Sequence, residues 1–134
     1  PERGELVVYR PAFNRRQLYL KRVIGVAGDQ VEWNGNGEIR INGNPLPHVP
    51  AAAAGDCLET NGSRTYTIRL QNKTNGSAAG PQPSGSLVVP PDHCFVMGDN
   101  RMQSQDSRTT GCISYASLFA EPVAKYGPEF SRLR

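Results

Sequence analysis

Apolar and polar positions divide the chain into short extended runs separated by turns. "GELVVYR" (residues 4–10) and "LYLKRVIGV" (18–26) are rich in β-branched and aromatic residues, and the polar "PAFNRRQ" between them, with Pro11 and Asn14, suits a connection. They predict an antiparallel strand pair. "QVEWNGNGEIRINGNPLP" alternates and turns twice on Asn-Gly, so Gln30 to Trp33 and Glu38 to Ile41 read as strands with tight left-handed turns at Asn34 to Gly37 and at Asn42-Gly43. From Pro45 to Ser86 the pattern loosens: "HVPAAAAGD" and "QNKTNGSAAGPQPSGS" read as loops with mobile tips. Between them "SRTYTIRLQ" sets Tyr66, Ile68 and Leu70 on one face and Thr65, Thr67 and Arg69 on the other, a half-buried strand. Order returns in "SLVVPPDHCFVMGDN", with strands at Leu87 to Val89 and Cys94 to Met97 around a turn at Pro90 to Asp92. The closing "ISYASLFAEPVAKYG" is read as a helical turn over Tyr115 to Phe119 and a last strand over Glu121 to Tyr126.

The 134 residues make one domain, and 14 Gly and 11 Pro fit a strand-rich, loop-rich chain rather than one of long helices. The net charge of +3 is mild, and Arg10, Arg15, Arg16, Lys21, Arg22, Arg132 and Arg134 are spread along the chain without interleaved aromatics, which argues against nucleic acid as a partner. No apolar run approaches the roughly 20 residues of a membrane span, and "PERGELVVYR" has no signal-peptide architecture. It opens as a strand about to be paired, so residues upstream are expected. Cys57, Cys94 and Cys112 lack any CxxC spacing, which disfavours zinc and leaves one disulfide or three free thiols open. His48 and His93 read as surface or loop residues, and the sequons beginning at Asn61, Asn72 and Asn75 as turn chemistry.

Two stretches carry the candidate chemistry. Lys21 stands among Leu18, Leu20, Val23, Ile24 and Val26, where a charged ammonium is costly to bury, so either the side chain snorkels to water or a neutral amine is put to use. "GDNRMQSQDSR" (98–108) crowds Asp99, Asn100, Arg101, Ser104, Asp106, Ser107 and Arg108 behind an apolar strand, a cluster that either ties its loop down through Asp–Arg pairs or sets hydroxyls and charges against a site.

"RGELVVY" (3–9), "YLKRVIGVAGDQV" (19–31) and "FVMGDNRMQSQDSR" (95–108), in this order and followed by Gly111, closely resemble three boxes of the bacterial type I signal peptidases. The resemblance implies a mainly β fold, an antiparallel two-sheet core formed by residues 1–31 and 87–134, with an inserted β-rich subdomain over 32–86. It makes Lys21 the general base of a Ser–Lys dyad, a variant of the serine-hydrolase arrangement. An amine near its reference pKa of about 10.4 is protonated at neutral pH, and apolar burial lowers that value toward a competent base. Flanking Leu20, Val23 and Ile24 are then the expected means of desolvation. Ser104 matches the serine that orients the amine. Asp99 matches the partner of Arg22, Asp106 and Arg108 match a structural ion pair, and Asn100 and Arg101 belong to the same supporting loop. Leu18, Tyr19 and Leu20 are expected beside the bound signal peptide, which adds as an extended strand with shallow pockets for its small side chains. No cofactor or metal is implied.

The sequence departs from the family pattern at Met102-Gln103, where Asp-Asn is usual, and at Ala27, where proline is commoner. Altered loop packing and a looser turn are expected, not lost chemistry. The family's nucleophile box, Ser-Met-x-Pro, and its membrane anchor lie upstream of "RGELVVY", so the chain alone is expected to be inactive. The resemblance also places the catalytic domain on the periplasmic or extracytoplasmic face of the cytoplasmic membrane. Two other classes compete with a signal peptidase: a non-catalytic relative acting as a binding or assembly factor for secreted proteins, and another Ser–Lys protease, of the repressor or conjugative pilin-processing type. The retained Lys21 and Ser104 disfavour the first, and the "GDNR…DSR" loop disfavours the repressor type. Self-association is left open.

Overall fold

The computed structural model describes residues 1–70 and 83–119. Its described part is mainly β: β1 (Leu6–Tyr9), β2 (Tyr19–Val26), β3 (Gln30–Trp33), β4 (Ile39–Ile41), β5 (Asn44–Pro45), β6 (His48–Pro50), β7 (Asp56–Asn61), β8 (Arg64–Arg69), β9 (Gly85–Val88), β10 (His93–Met97) and β11 (Ile113–Ser114), with a short helix α1 (Ser107–Thr110) before β11 and a 3-10 turn (Tyr115–Ser117) after it. Three antiparallel sheets result, ordered β1-β2-β10-β11, β5-β4-β3-β9 and β6-β7-β8. Tight turns hold the registers. Asn42 and Gly43 take φ of 52° and 84°, the left-handed pair that lets β4 fold directly back on β5.

Strand alternation divides the interior in two. On β10, Phe95 and Met97 enter a cluster with Ile24, Val31, Ile39 and Val89, while Cys94 and Val96 enter a second with Val7, Tyr9 and Val23. A register shift between Phe95 and Val96 in the β2–β10 pairing realigns the strands beyond Ile24, and Val26 packs against the second cluster. Upstream of the shift alternation is strict, so consecutive Lys21 and Arg22 leave β2 on opposite sides.

Residues 45–86 hold more regular structure than their loose pattern predicts. Strand β7 has no apolar alternation to signal it: in "DCLETN" the apolar Leu58 is exposed, while Glu59 and Asn61 are its buried residues. The sequence boundary at 31/32 falls inside β3, and Ile39 and Ile41 share the cluster of Ile24 and Phe95. The helical turn read over Tyr115 to Phe119 is one 3-10 turn capped by Ser114. The last strand expected over 121–126, the loop tips over 71–82 and the sequons at Asn72 and Asn75 lie outside the described residues. Among the described residues no helix is long and apolar enough to cross a membrane.

Asp29 closes the turn that carries Ala27. Its carboxylate accepts from the Val26 N–H at 2.9 Å, from Asn42 at 3.1 Å and from Arg3 Nε at 2.8 Å, so three segments meet on one side chain. Cys57, Cys94 and Cys112 are free thiols, and burial pushes that of Cys94 up to about 12.

Candidate active site

Lys21 lies opposite Val7 in the β1–β2 register and is 7% exposed. Its face of β2 is shared by Tyr19 and Val23, whereas Leu20 and Ile24 point the other way by strand alternation. Desolvation therefore comes from across the sheet and from the loop above, and among the expected flankers only Val23 lies on the right face. Burial lowers the Lys21 pKa below the ordinary lysine value; Asp106 and Asp99 oppose that shift and Arg108 reinforces it.

The amine is not left without a partner. Lys21 Nζ donates to Ser104 Oγ at 2.9 Å and stands 5.4 Å from the centre of the Tyr19 ring. Ser104 Oγ also accepts from the Gly98 N–H at 3.1 Å, and its own hydroxyl donates to Asp106. With its proton committed there, Ser104 can only accept from Lys21. A neutral amine held this way spends one N–H on Ser104 and keeps its lone pair for another proton.

Asp106 organises the loop behind them. Although burial alone would raise its pKa, two hydrogen bonds from Arg108 at 2.9 Å and one from the Gly98 N–H at 3.0 Å hold its carboxyl below the usual range. It also caps α1, accepting from the Arg108 N–H at 3.2 Å. Gly98 is required by close approach: a Cβ there would collide with the Ser104 side chain and come within 3.3 Å of Lys21 Nζ.

On the opposite face Arg22 makes a two-pronged pair with Asp99, both contacts at 2.9 Å, and donates to the Gly4 carbonyl at 2.7 Å. Its guanidinium also lies 4.0 Å from the centre of the Tyr66 ring. Asn100 and Arg69 form a parallel bridge, with the Arg69 N–H bonded to the Asp99 carbonyl and the Arg101 N–H to the Arg69 carbonyl. Arg101 is 0% exposed and clamps Glu59 through contacts of 2.9 and 2.6 Å.

Glu59 is absent from the sequence argument, and Asn61 enters it only as turn chemistry. Glu59 accepts from the Tyr66 hydroxyl at 2.8 Å as well as from Arg101, and Asn61 donates to the Ile24 carbonyl at 2.9 Å. A usable signal existed for Glu59. The Gly62-Ser63 turn sets Glu59 directly opposite Tyr66, so placing Tyr66 on the inward face also places Glu59 there.

The ladder between β10 and β2 ends at Met97 and Arg22, and no strand among the described residues continues it along Tyr19–Lys21. Val23 bonds on the β1 side, to Glu5 and Gly4, so alternation directs the N–H and C=O of Leu20 to the uncovered edge. Leu20 itself is 1% exposed, backbone and side chain together, so this edge is unpaired by any described strand yet closed to solvent at Leu20. Leu18 is half-buried just before β2, and the Tyr19 hydroxyl reaches Gln105 Oε1 at 3.4 Å. Two cavities of about 620 and 490 Å³ lie elsewhere, and neither is lined by Lys21 or Ser104. The amine thus faces a strand edge rather than an enclosed pocket. Among the described residues no group of three His, Cys, Asp or Glu side chains is placed to hold a metal ion.

The site is thus a desolvated lysine bonded to a serine, beside an unpaired strand edge of an antiparallel β scaffold. The profile of the family "Signal peptidase, peptidase S26" matches residues 1–126, and the chain belongs to that family. Relatives include the signal peptidase I of Pseudomonas fluorescens, 32% identical over 81% of this chain and 39% of its own length. Signal peptidase I of Bacillus caldolyticus is 28% identical over 94% of the chain and 62% of its own length. Signal peptidase IB of Staphylococcus aureus (strain Mu50 / ATCC 700699) is 32% identical over 95% and 61%. The chain thus spans between 39% and 62% of the length of these relatives. The crystal structure of a signal peptidase I from Enterococcus faecalis V583 superposes with a TM-score of 0.54 at 27% identity, covering 88% of this chain and 92% of the other.

Proposed function

We propose that this chain is the catalytic core of a signal peptidase I, an endopeptidase that removes N-terminal signal peptides from secreted preproteins at the outer face of the cytoplasmic membrane. The Lys21–Ser104 contact beside an unpaired strand edge carries the proposal. In this scheme the preprotein lies along Tyr19–Lys21 as an added strand, held by the Leu20 backbone, with Leu18 and Tyr19 bordering its side chains. Lys21 accepts the proton of a serine hydroxyl as that oxygen attacks the scissile carbonyl, and the ammonium so formed passes the proton to the leaving amine.

Ser104 orients Lys21 and is not the attacking group, because its proton is engaged by Asp106 and its oxygen by Lys21 and Gly98. The nucleophile is assigned to a Ser-Met-x-Pro segment outside this chain, and the membrane anchor likewise. Arg22, Asp99, Asn100, Arg101, Asp106 and Arg108 support the site without touching substrate. A non-catalytic binding factor would have no chemical use for a buried amine with a free lone pair.

The test is cleavage of a preprotein by the complete protein carrying both segments, compared with this chain alone. Cleavage by the complete protein, loss in Lys21→Ala and no activity in the chain alone are expected. Undiminished cleavage by the Lys21→Ala variant would overturn the assignment.

A further inference from the structure

The β7–β8 hairpin grips the loop that carries Ser104 at two levels. Along the main chain, Arg69 exchanges hydrogen bonds with Asp99 and Arg101 at 2.8 and 2.9 Å. Through side chains, Glu59 holds both terminal nitrogens of Arg101, leaving Arg101 Nε to donate to the Gly98 carbonyl at 3.0 Å. The Gly98 N–H in turn bonds to Ser104 Oγ and to Asp106, and Ser104 receives Lys21. An unbroken chain of contacts runs from Glu59 to the amine.

The electrostatic demands on that chain are one-sided. Arg101 is wholly enclosed and Glu59 is 2% exposed, so each is the other's principal countercharge, and removing one strands the other in a water-poor interior. The charges that act on Lys21 are Asp106, Asp99 and Arg108 from the loop and α1, while its own strand contributes the Tyr19 ring and β1 faces it with Val7. Glu59 is not among them, and any influence it has on Lys21 passes through geometry.

We propose that Glu59 is a positioning residue for the general base: by fixing Arg101 it holds the Gly98 peptide that points Ser104 at Lys21. The proposal rests on Lys21 acting as the base. It assigns the inserted hairpin a role in the reaction that no residue of the three sequence boxes discloses.

The chain contains three lysines, Lys21, Lys73 and Lys125, so NMR titration of side-chain carbons labelled at Cε in this chain resolves Lys21, with Lys21→Arg identifying its signal. Glu59→Gln keeps the shape and removes the charge. If Glu59 positions the loop, Arg101 releases Gly98, Ser104 loosens, water reaches the amine and the Lys21 titration moves up toward the ordinary lysine value. Tyr66→Phe, which removes only the hydroxyl bonded to Glu59, is expected to move it the same way by less, and remains informative if Glu59→Gln fails to fold. An unchanged or lowered Lys21 titration in a folded variant overturns the proposal, since loss of a negative charge acting directly would lower it. The base assignment fails separately, by preprotein cleavage that survives Lys21→Ala in the complete protein.

Discussion

Lys21 and Arg22 are neighbours on one strand, carry the same formal charge and are each 7% exposed, yet they meet opposite surroundings. Arg22 finds a carboxylate, a carbonyl and an aromatic face, which together suit a permanent cation. Lys21 finds a hydroxyl and apolar walls, which suit a neutral amine. The two faces of β2 thus set a paired cation apart from a desolvated amine. Lysine tolerates the second environment because it can release its proton, and arginine would not.

That contrast can be broken first at Lys21. Lys21→Met keeps the apolar stem, so the fold is expected to persist while preprotein cleavage by the complete protein drops by about 10²-fold to 10⁴-fold, as loss of a general base requires. Turnover assays beside circular dichroism check both halves. On the other face, Arg22→Met removes the two-pronged guanidinium contact to Asp99 and is expected to cost about 3 kcal/mol of stability, read as a lower urea midpoint.

A smaller effect tests the orientation of the amine. Ser104→Ala leaves Lys21 without its acceptor, and kcat is expected to fall roughly tenfold or more with KM nearly unchanged. A KM change alone would place Ser104 against substrate instead. Gly98→Ala, which drives a methyl into the same space, should reproduce the loss.

The smallest effect is in pH dependence, and its sign distinguishes the amine from the carboxylate behind it. Because burial depresses the Lys21 pKa, the folded state binds fewer protons than the unfolded state between the depressed value and the ordinary one near 10.4. Stability should therefore rise with pH across that window in wild type and lose this rise in Lys21→Met, as urea titrations at several pH values would show. Asp106 acts in the opposite range: its lowered pKa contributes stability above the usual carboxylate value, and this is lost as pH falls through the folded one. Asp106→Asn should flatten the acid limb and, by removing a charge that raises the Lys21 pKa, widen the alkaline rise.

Much of the site is legible in the residues themselves. The alternating runs around 6–9, 19–26 and 93–97 locate β1, β2 and β10, and the "GDNR…DSR" stretch marks the loop that meets Lys21. The Asn42-Gly43 turn was equally plain, since few sequences other than Asn-Gly accept two left-handed residues in succession, whereas the expected left-handed turn at Asn34 to Gly37 has a positive φ at Gly37 alone. Less visible was β7, whose buried positions are Glu59 and Asn61, because a polar side chain turned inward looks in sequence like one turned out.

The sequence by itself determined that this protein is built of short antiparallel strands, that one of them carries a lysine among apolar residues, and that a dense polar loop follows another. These are local properties, dictated by side-chain alternation and turn chemistry within a few residues. Only the tertiary structure decided which walls desolvate Lys21, that Glu59 closes over Arg101, and that no described strand pairs with the edge beside the amine. Each of those depends on register between segments tens of residues apart, and a hydrogen bond or a buried charge has no meaning until both partners have been brought together.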